Sequence, residues 1–168
     1  ALIVCAMPAT AVATNGNVFN DLQPFVAIYN EQVVDDLPPF VEKLAANQRI
    51  NGVVYLYDAG GNNPYRATFN GRTFVCYGSV VIGVVTDSEG RIVEFSNGEI
   101  TDPTMHVAAY DTVIYGGMQS LNPLCDLITA KNNGWITIKG VGIRHKAQVM
   151  TINALAQSFG RLRCGIAG

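Results

Sequence analysis

The sequence predicts an α+β fold: a mainly antiparallel sheet of about five to six strands, helices packed on one face, and an extended strand at the N-terminus. Three observations carry this. Apolar residues recur at helical spacing from Leu22 to Ala45, β-branched and aromatic runs broken by tight-turn signals fill 53–95, and 143–159 returns to a helical period. With 168 residues the chain fits a single domain, able to bury roughly 70% of the surface its unfolded form exposes. We divide it into an extended apolar segment (1–17), one α+β domain (18–160) and a C-terminal tail (161–168).

The first segment, ALIVCAMPATAVATNGN, holds about thirteen nearly uninterrupted apolar residues. A membrane helix needs about twenty, and Pro8 interrupts the run, so no span is expected. Both faces of 1–6 are apolar, as in a strand covered on both sides. Such a strand either covers an edge of its own sheet or adds to the sheet of a neighbouring copy.

Leu22, Phe25, Val26, Tyr29 and Val33 follow a helical stripe, with Pro24 in a first turn. Asp35 or Asp36 then caps a second helix carrying Leu37, Phe40, Val41, Leu44 and Ala45. Strands are expected over 53–57, 65–69 and 73–77, the last two joined at Asn70-Gly71, whose residues accept positive φ. Further strands at 80–86 and 91–95 flank a turn at 87–90, and Asn97-Gly98 gives another reversal. A strand at 105–109 leads to a short helix capped by Asp111. Asn122-Pro123 opens a second short helix, with Asn as cap and Pro in the first helical position. A strand at 135–139 precedes the last helix, whose core stripe is read as Ile143, Ala147, Met150 and Ala154.

The run MHVAAYDTVIYGGMQSLNPLCDLITAKNNGWITIKGVGIRHKAQVM then gives, in order, the Asp111 cap, Gly116-Gly117, Asn122-Pro123 and Trp135-Ile136-Thr137-Ile138-Lys139-Gly140. This series resembles the C-terminal half of sterol carrier protein type 2 domains, and with the upstream helix and strand pair the resemblance covers about 37–158. The stretch 129–133 lengthens one connection, and Val141-Gly142 replaces the usual acidic residue. The apolar leader and the Cys-bearing tail lie outside the family pattern. The resemblance implies a sheet under helices, in some members enclosing an apolar tunnel for a sterol or fatty acyl ligand. Composition alone does not distinguish a filled core from a pocket.

The ionisable residues show no catalytic pattern. Gly140-Val141-Gly142, followed by Arg144, His145 and Lys146, lacks the third glycine of a dinucleotide motif and the Lys-Ser/Thr of a phosphate loop, and reads as a strand-to-helix turn. His106 and His145 have no dyad partner, and Asp58 and Asp87 match no calcium loop. No cofactor, metal site or enzyme activity is expected. Charged residues make up only 14% of the chain and the net charge is −2, so no basic surface is offered to nucleic acid. Trp135 and the tyrosines lie on strands without interleaved basic residues. Cys5, Cys76, Cys125 and Cys164 contain no close pair, which argues against zinc. They are either structural disulfides, with three connectivities open, or buried thiols. Cys5 and Cys164, one in each terminal segment, would staple the ends or link subunits.

Two functions follow as expectations. In the first, the protein is an extracellular structural subunit that self-assembles into a filament, pilus or surface layer by donor-strand complementation. Leu2, Ile3, Val4, Cys5, Met7 and Val12 would then form the interface with a second copy. In the alternative, it is a secreted sterol-carrier-like domain binding an apolar ligand such as a lipid or fatty acyl chain.

Overall fold

The computed structural model describes residues 3–4, 9–37, 39–57 and 64–164. In chain order, β1 (Ile3–Val4) precedes α1 (Ala9–Ile28), which runs through a π-helical turn (Tyr29–Val33) and a 3-10 turn (Val34–Asp36) to α2 (Pro39–Ala45). Strands β2 (Arg49–Tyr55), β3 (Tyr65–Phe69), β4 (Arg72–Cys76), β5 (Ser79–Thr86), β6 (Ile92–Asn97) and β7 (Met105–Tyr110) follow. The chain then forms α3 (Asp111–Gln119), α4 (Pro123–Asn132), β8 (Ile136–Gly140) and α5 (Gly142–Arg163). The α+β prediction holds.

Five strands form one mixed sheet in the order β6-β5-β2-β7-β8. All neighbours are antiparallel except β2 and β7, which run parallel with Ile50 opposite Met105 and Val54 opposite Ala109. Side chains alternate across the pleat, so each strand feeds two faces. One face carries Val54 and Val80, which pack with Leu56 against Val18 and Leu22 of α1 and Ile114 and Tyr115 of α3. Its remaining half, from Ile50 to Ile138, lies under α2, α4 and α5. The helices therefore sit on one face, as expected. The opposite face carries Tyr55, Ala108 and Tyr110, covered by the β3–β4 hairpin through Phe74 and Cys76. The hairpin turns at Asn70-Gly71, both at positive φ (48° and 76°), as the Asn-Gly signal requires.

Several expectations change. Helix α1 begins at Ala9, so 9–17 are helical rather than extended; Ala9, Ala11 and Ala13 are strong helix formers that follow Pro8 directly. Pro24 lies inside α1, not in a first turn, and denies the Asn20 carbonyl its usual intrahelical donor. Helix α2 starts at Pro39, and Asp35 accepts a hydrogen bond from Arg91 Nη2 at 2.6 Å instead of capping it. Asp111 is the first residue of α3, and its Oδ1 takes the N–H groups of Thr112 (2.7 Å) and Tyr57 (3.0 Å); the N-cap is Tyr110. Asn122 does cap α4, accepting from the Cys125 N–H.

Asn97-Gly98 opens no hairpin. Strands β6 and β7 run in the same direction with β5 and β2 between them, so 98–104 must cross the sheet. The Asn51 side chain pins this crossover, donating to the Ile100 carbonyl (3.0 Å) and accepting from its N–H (2.8 Å). Gly83 makes room beneath it: a Cβ there would lie 2.4 Å from Ile100 Cγ2.

The stripe read for α5 is the wrong one. Ile143 is 90% exposed and Met150 72%, while Val149 and Ala156 are buried. Apolar residues occur around the whole helix, and the sheet, not the periodicity, selects which stripe turns inward. Helix α5 also extends through Arg163, so the expected tail from 161 is helical in its first residues.

Candidate functional site

On the helical face the sheet and the helices line an apolar cavity of about 390 Å³ that opens to solvent. Its sheet wall is built by Ile50, Val84, Ile92, Met105, Val107 and Ile138, which the pairing register brings to one face. Opposite stand Val41 and Leu44 of α2, Leu124, Leu127 and Ile128 of α4, and Ile152, Leu155 and Ala156 of α5. Helix α4 is aimed by its Asn-Pro start. Helix α5 is aimed by Gly140, where a Cβ would lie 2.3 Å from the His145 backbone.

Four polar side chains reach this lining: Tyr29, Gln48, Thr86 and Lys131. Three are engaged by the protein itself. The Tyr29 hydroxyl donates to the Gly90 carbonyl at 3.0 Å, and burial, with Asp87 beside it, raises its pKa. Gln48 is buried, donates from Nε2 to the Ala46 carbonyl (2.9 Å) and accepts from Thr104 Oγ1 (2.9 Å). Thr86 Oγ1 accepts the Gln48 N–H at 2.9 Å and donates to the Ala45 carbonyl. Such groups fix the walls and leave an apolar interior. Lys131 alone remains, at the margin, its pKa lowered by burial first and by the charge of Arg72 second.

Cys125 and Cys164 are bonded within the chain, joining the first turn of α4 to the end of α5 across a separation of 39 residues. Of the three connectivities left open by the sequence, this bond selects the one that pairs Cys125 with Cys164, so Cys164 does not link to Cys5. Cys76 is also disulfide-bonded. The cysteines are structural disulfides, not thiols, at these positions.

Of the residues proposed for an assembly interface, Ile3 and Val4 form β1, which pairs antiparallel with β3 and parallel with β4 of the same chain. Val12 lies in α1, and Leu2, Cys5 and Met7 lie outside the described residues, as do Asp58 and the expected turn at 60–64 up to residue 63. The His145 ring nitrogen Nδ1 lies 2.9 Å from the Val141 carbonyl at the start of α5, and His106 stands opposite Lys139 in the sheet. Among the described residues no group of three His, Cys, Asp or Glu could hold a metal ion, and no helix is long and apolar enough to cross a membrane. Sequence reasoning missed the cavity wall, because Ile50, Met105, Leu127 and Ile152 carry no mark that separates lining from packed core.

No family model matches the chain, and no curated protein matches it. Among solved structures, it is similar to the sterol carrier protein domain 2 of Helicoverpa armigera, with 17% identity, 88% of this chain and 91% of that chain covered, and a TM-score of 0.41. It is similar also to the UbiJ-SCP2 ubiquinone synthesis protein, with 13% identity, 85% and 93% covered, and a TM-score of 0.36. Both neighbours carry the sterol carrier or SCP2 designation in their descriptions.

Proposed function

We propose that this protein is a carrier that holds the apolar part of a lipid-like ligand between its sheet and its helices, without catalysing a reaction. The observation that supports this reading is the apolar cavity, whose 390 Å³ falls within the range of small-molecule sites. Tyr29, Gln48 and Thr86 are already hydrogen-bonded, so an apolar occupant would strand no polar group there. The disulfides favour an oxidising compartment, such as the extracellular space.

We prefer this reading to filament assembly by strand donation, since β1 is paired with β3 and β4 of its own chain. The test is direct. The natively purified, disulfide-intact chain is extracted with organic solvent for mass spectrometry, then titrated with a fluorescent long-chain acyl probe. A co-purifying lipid or saturable probe binding is expected. Ala156→Phe, which projects a ring into the cavity, should weaken the probe at least about tenfold, or 1.4 kcal/mol, with an unchanged circular dichroism spectrum. A folded chain that yields no lipid and binds no acyl probe ends the carrier reading.

A further inference from the structure

The apolar cavity adjoins a second depression of different chemistry. A polar cleft of about 520 Å³ runs along the outer side of β8 and shares Ile136, Ile138 and Lys131 with the apolar cavity. The ionisable residues of its lining are Arg72 from β4, Lys131 from α4 and Arg161 from α5, and no carboxylate joins them. Asn153, Gln157 and the asparagines of the α4–β8 turn add neutral amide groups. This gathering of cations is set in a chain of net charge −2. Among the described residues, the ion pairs are those of Arg91 with Asp35 and Glu89, so the cleft's own cations are not neutralised by a carboxylate.

The cations are positioned by the fold rather than scattered. The tip of the β3–β4 hairpin is tied to β8 by Asn70 Nδ2, which donates to the Ile138 carbonyl at 3.3 Å. Two residues further on, the Arg72 guanidinium lies across Gly134, with Nη1 2.6 Å from where a Cβ would stand. Lys131 lies at the seam where both depressions meet, and Arg161 projects from the last turns of the helix whose Ile152 and Ala156 line the apolar side. An anion bridging these groups would meet charge-assisted donors from three separate elements. Its charge would also oppose the effects of burial and of Arg72, which lower the Lys131 pKa.

We propose that this cleft is a headgroup subsite: a carboxylate or phosphate is held by Arg72, Lys131 and Arg161 while the attached chain passes Ile136 and Ile138 into the apolar cavity. The proposal rests on the carrier reading and narrows its ligand to an anionic single-chain amphiphile. The experiment is calorimetric titration of the disulfide-intact full chain with hexadecanoate, hexadecyl phosphate, hexadecanol and inorganic phosphate, repeated with Arg72→Gln and Arg161→Gln. Both arginines are exposed, and retained hexadecanol binding serves as the check that each variant is folded. The anionic amphiphiles should bind roughly tenfold or more tightly than hexadecanol, and each variant should lose most of that preference while holding hexadecanol unchanged. Equal affinity for hexadecanol and hexadecanoate overturns the headgroup subsite and leaves the carrier intact. Inorganic phosphate binding as tightly as hexadecyl phosphate overturns it in favour of a free-anion site. If no chain-bearing probe binds, the carrier reading and the subsite fall together.

Discussion

At the scale of single residues, Phe74 and Tyr115 carry the clearest consequences. Phe74 has 0% of its surface exposed and packs its ring 4.6 Å from Tyr55 and 5.7 Å from Tyr110, centroid to centroid. It is the anchor by which the hairpin adheres to the sheet. Phe74→Ala should cost about 3–5 kcal/mol in urea denaturation, since the cavity it leaves is closed on all sides. Tyr115 donates its hydroxyl to Asp21 Oδ2 at 2.8 Å, joining α3 to α1. Burial, and then that bond, push its pKa up to about 12 from the ordinary tyrosine value of 10.0. Because the folded state holds the proton more tightly than the unfolded one, its contribution is fully present below pH 10.0 and is lost as pH rises toward about 12. Denaturation midpoints measured across this window should fall more steeply for the native chain than for Tyr115→Phe; parallel curves would show that the hydroxyl contributes nothing.

At the scale of elements, the π-helical turn earns its place by what it touches. Asn30 brackets Ile92 at the start of β6, donating to its carbonyl at 2.8 Å and accepting from its N–H at 2.7 Å, as a neighbouring strand would. Arg91 donates to the Asn30 carbonyl and pairs with Asp35, so the segment after α1 is tied to the β5–β6 turn at several points. Asn30→Ala leaves two backbone groups of an edge strand unpartnered, and a loss of about 1–3 kcal/mol should appear on thermal or chemical unfolding. Gly83→Ala should likewise destabilise by about 1–3 kcal/mol, because the new methyl meets Ile100 and Ser96 under the crossover. These contacts also mark where sequence reading stops. The strands from 65 onward and the Asn122-Pro123 helix start were legible, since turn chemistry and caps act over a few residues. The phase of α5 and the crossover after Asn97 were not, because both are decided by partners distant in sequence: the sheet face turns Val149 inward, and β2 claims β7. The cationic cleft escaped for the same reason, as Arg72, Lys131 and Arg161 converge only after folding.

At the scale of the whole molecule, the bond between Cys125 and Cys164 joins two of the helices that wall the cavity. By loop-closure entropy over its separation of 39 residues, it contributes about 4 kcal/mol. The double variant Cys125→Ser/Cys164→Ser should therefore melt earlier and hold an acyl probe more weakly, with the two losses tracking one another; an unchanged affinity would mean that α4 and α5 keep their spacing without the link. Sedimentation of the native chain should report discrete particles, whereas ordered polymers by electron microscopy would restore the strand-donating assembly. The crossover at 98–104 has a kinetic consequence as well. Hairpins β3–β4 and β5–β6 close over short turns, but the parallel β2–β7 pair joins distant parts of the chain, and pairings of that kind slow folding toward the millisecond-to-second range. Until β7 docks and brings β8 with it, Ile50 and Val84 face no finished wall. The apolar cavity is then expected to be the last part of the molecule to form, and an acyl probe present during refolding should capture the product of the slow phase rather than accelerate it.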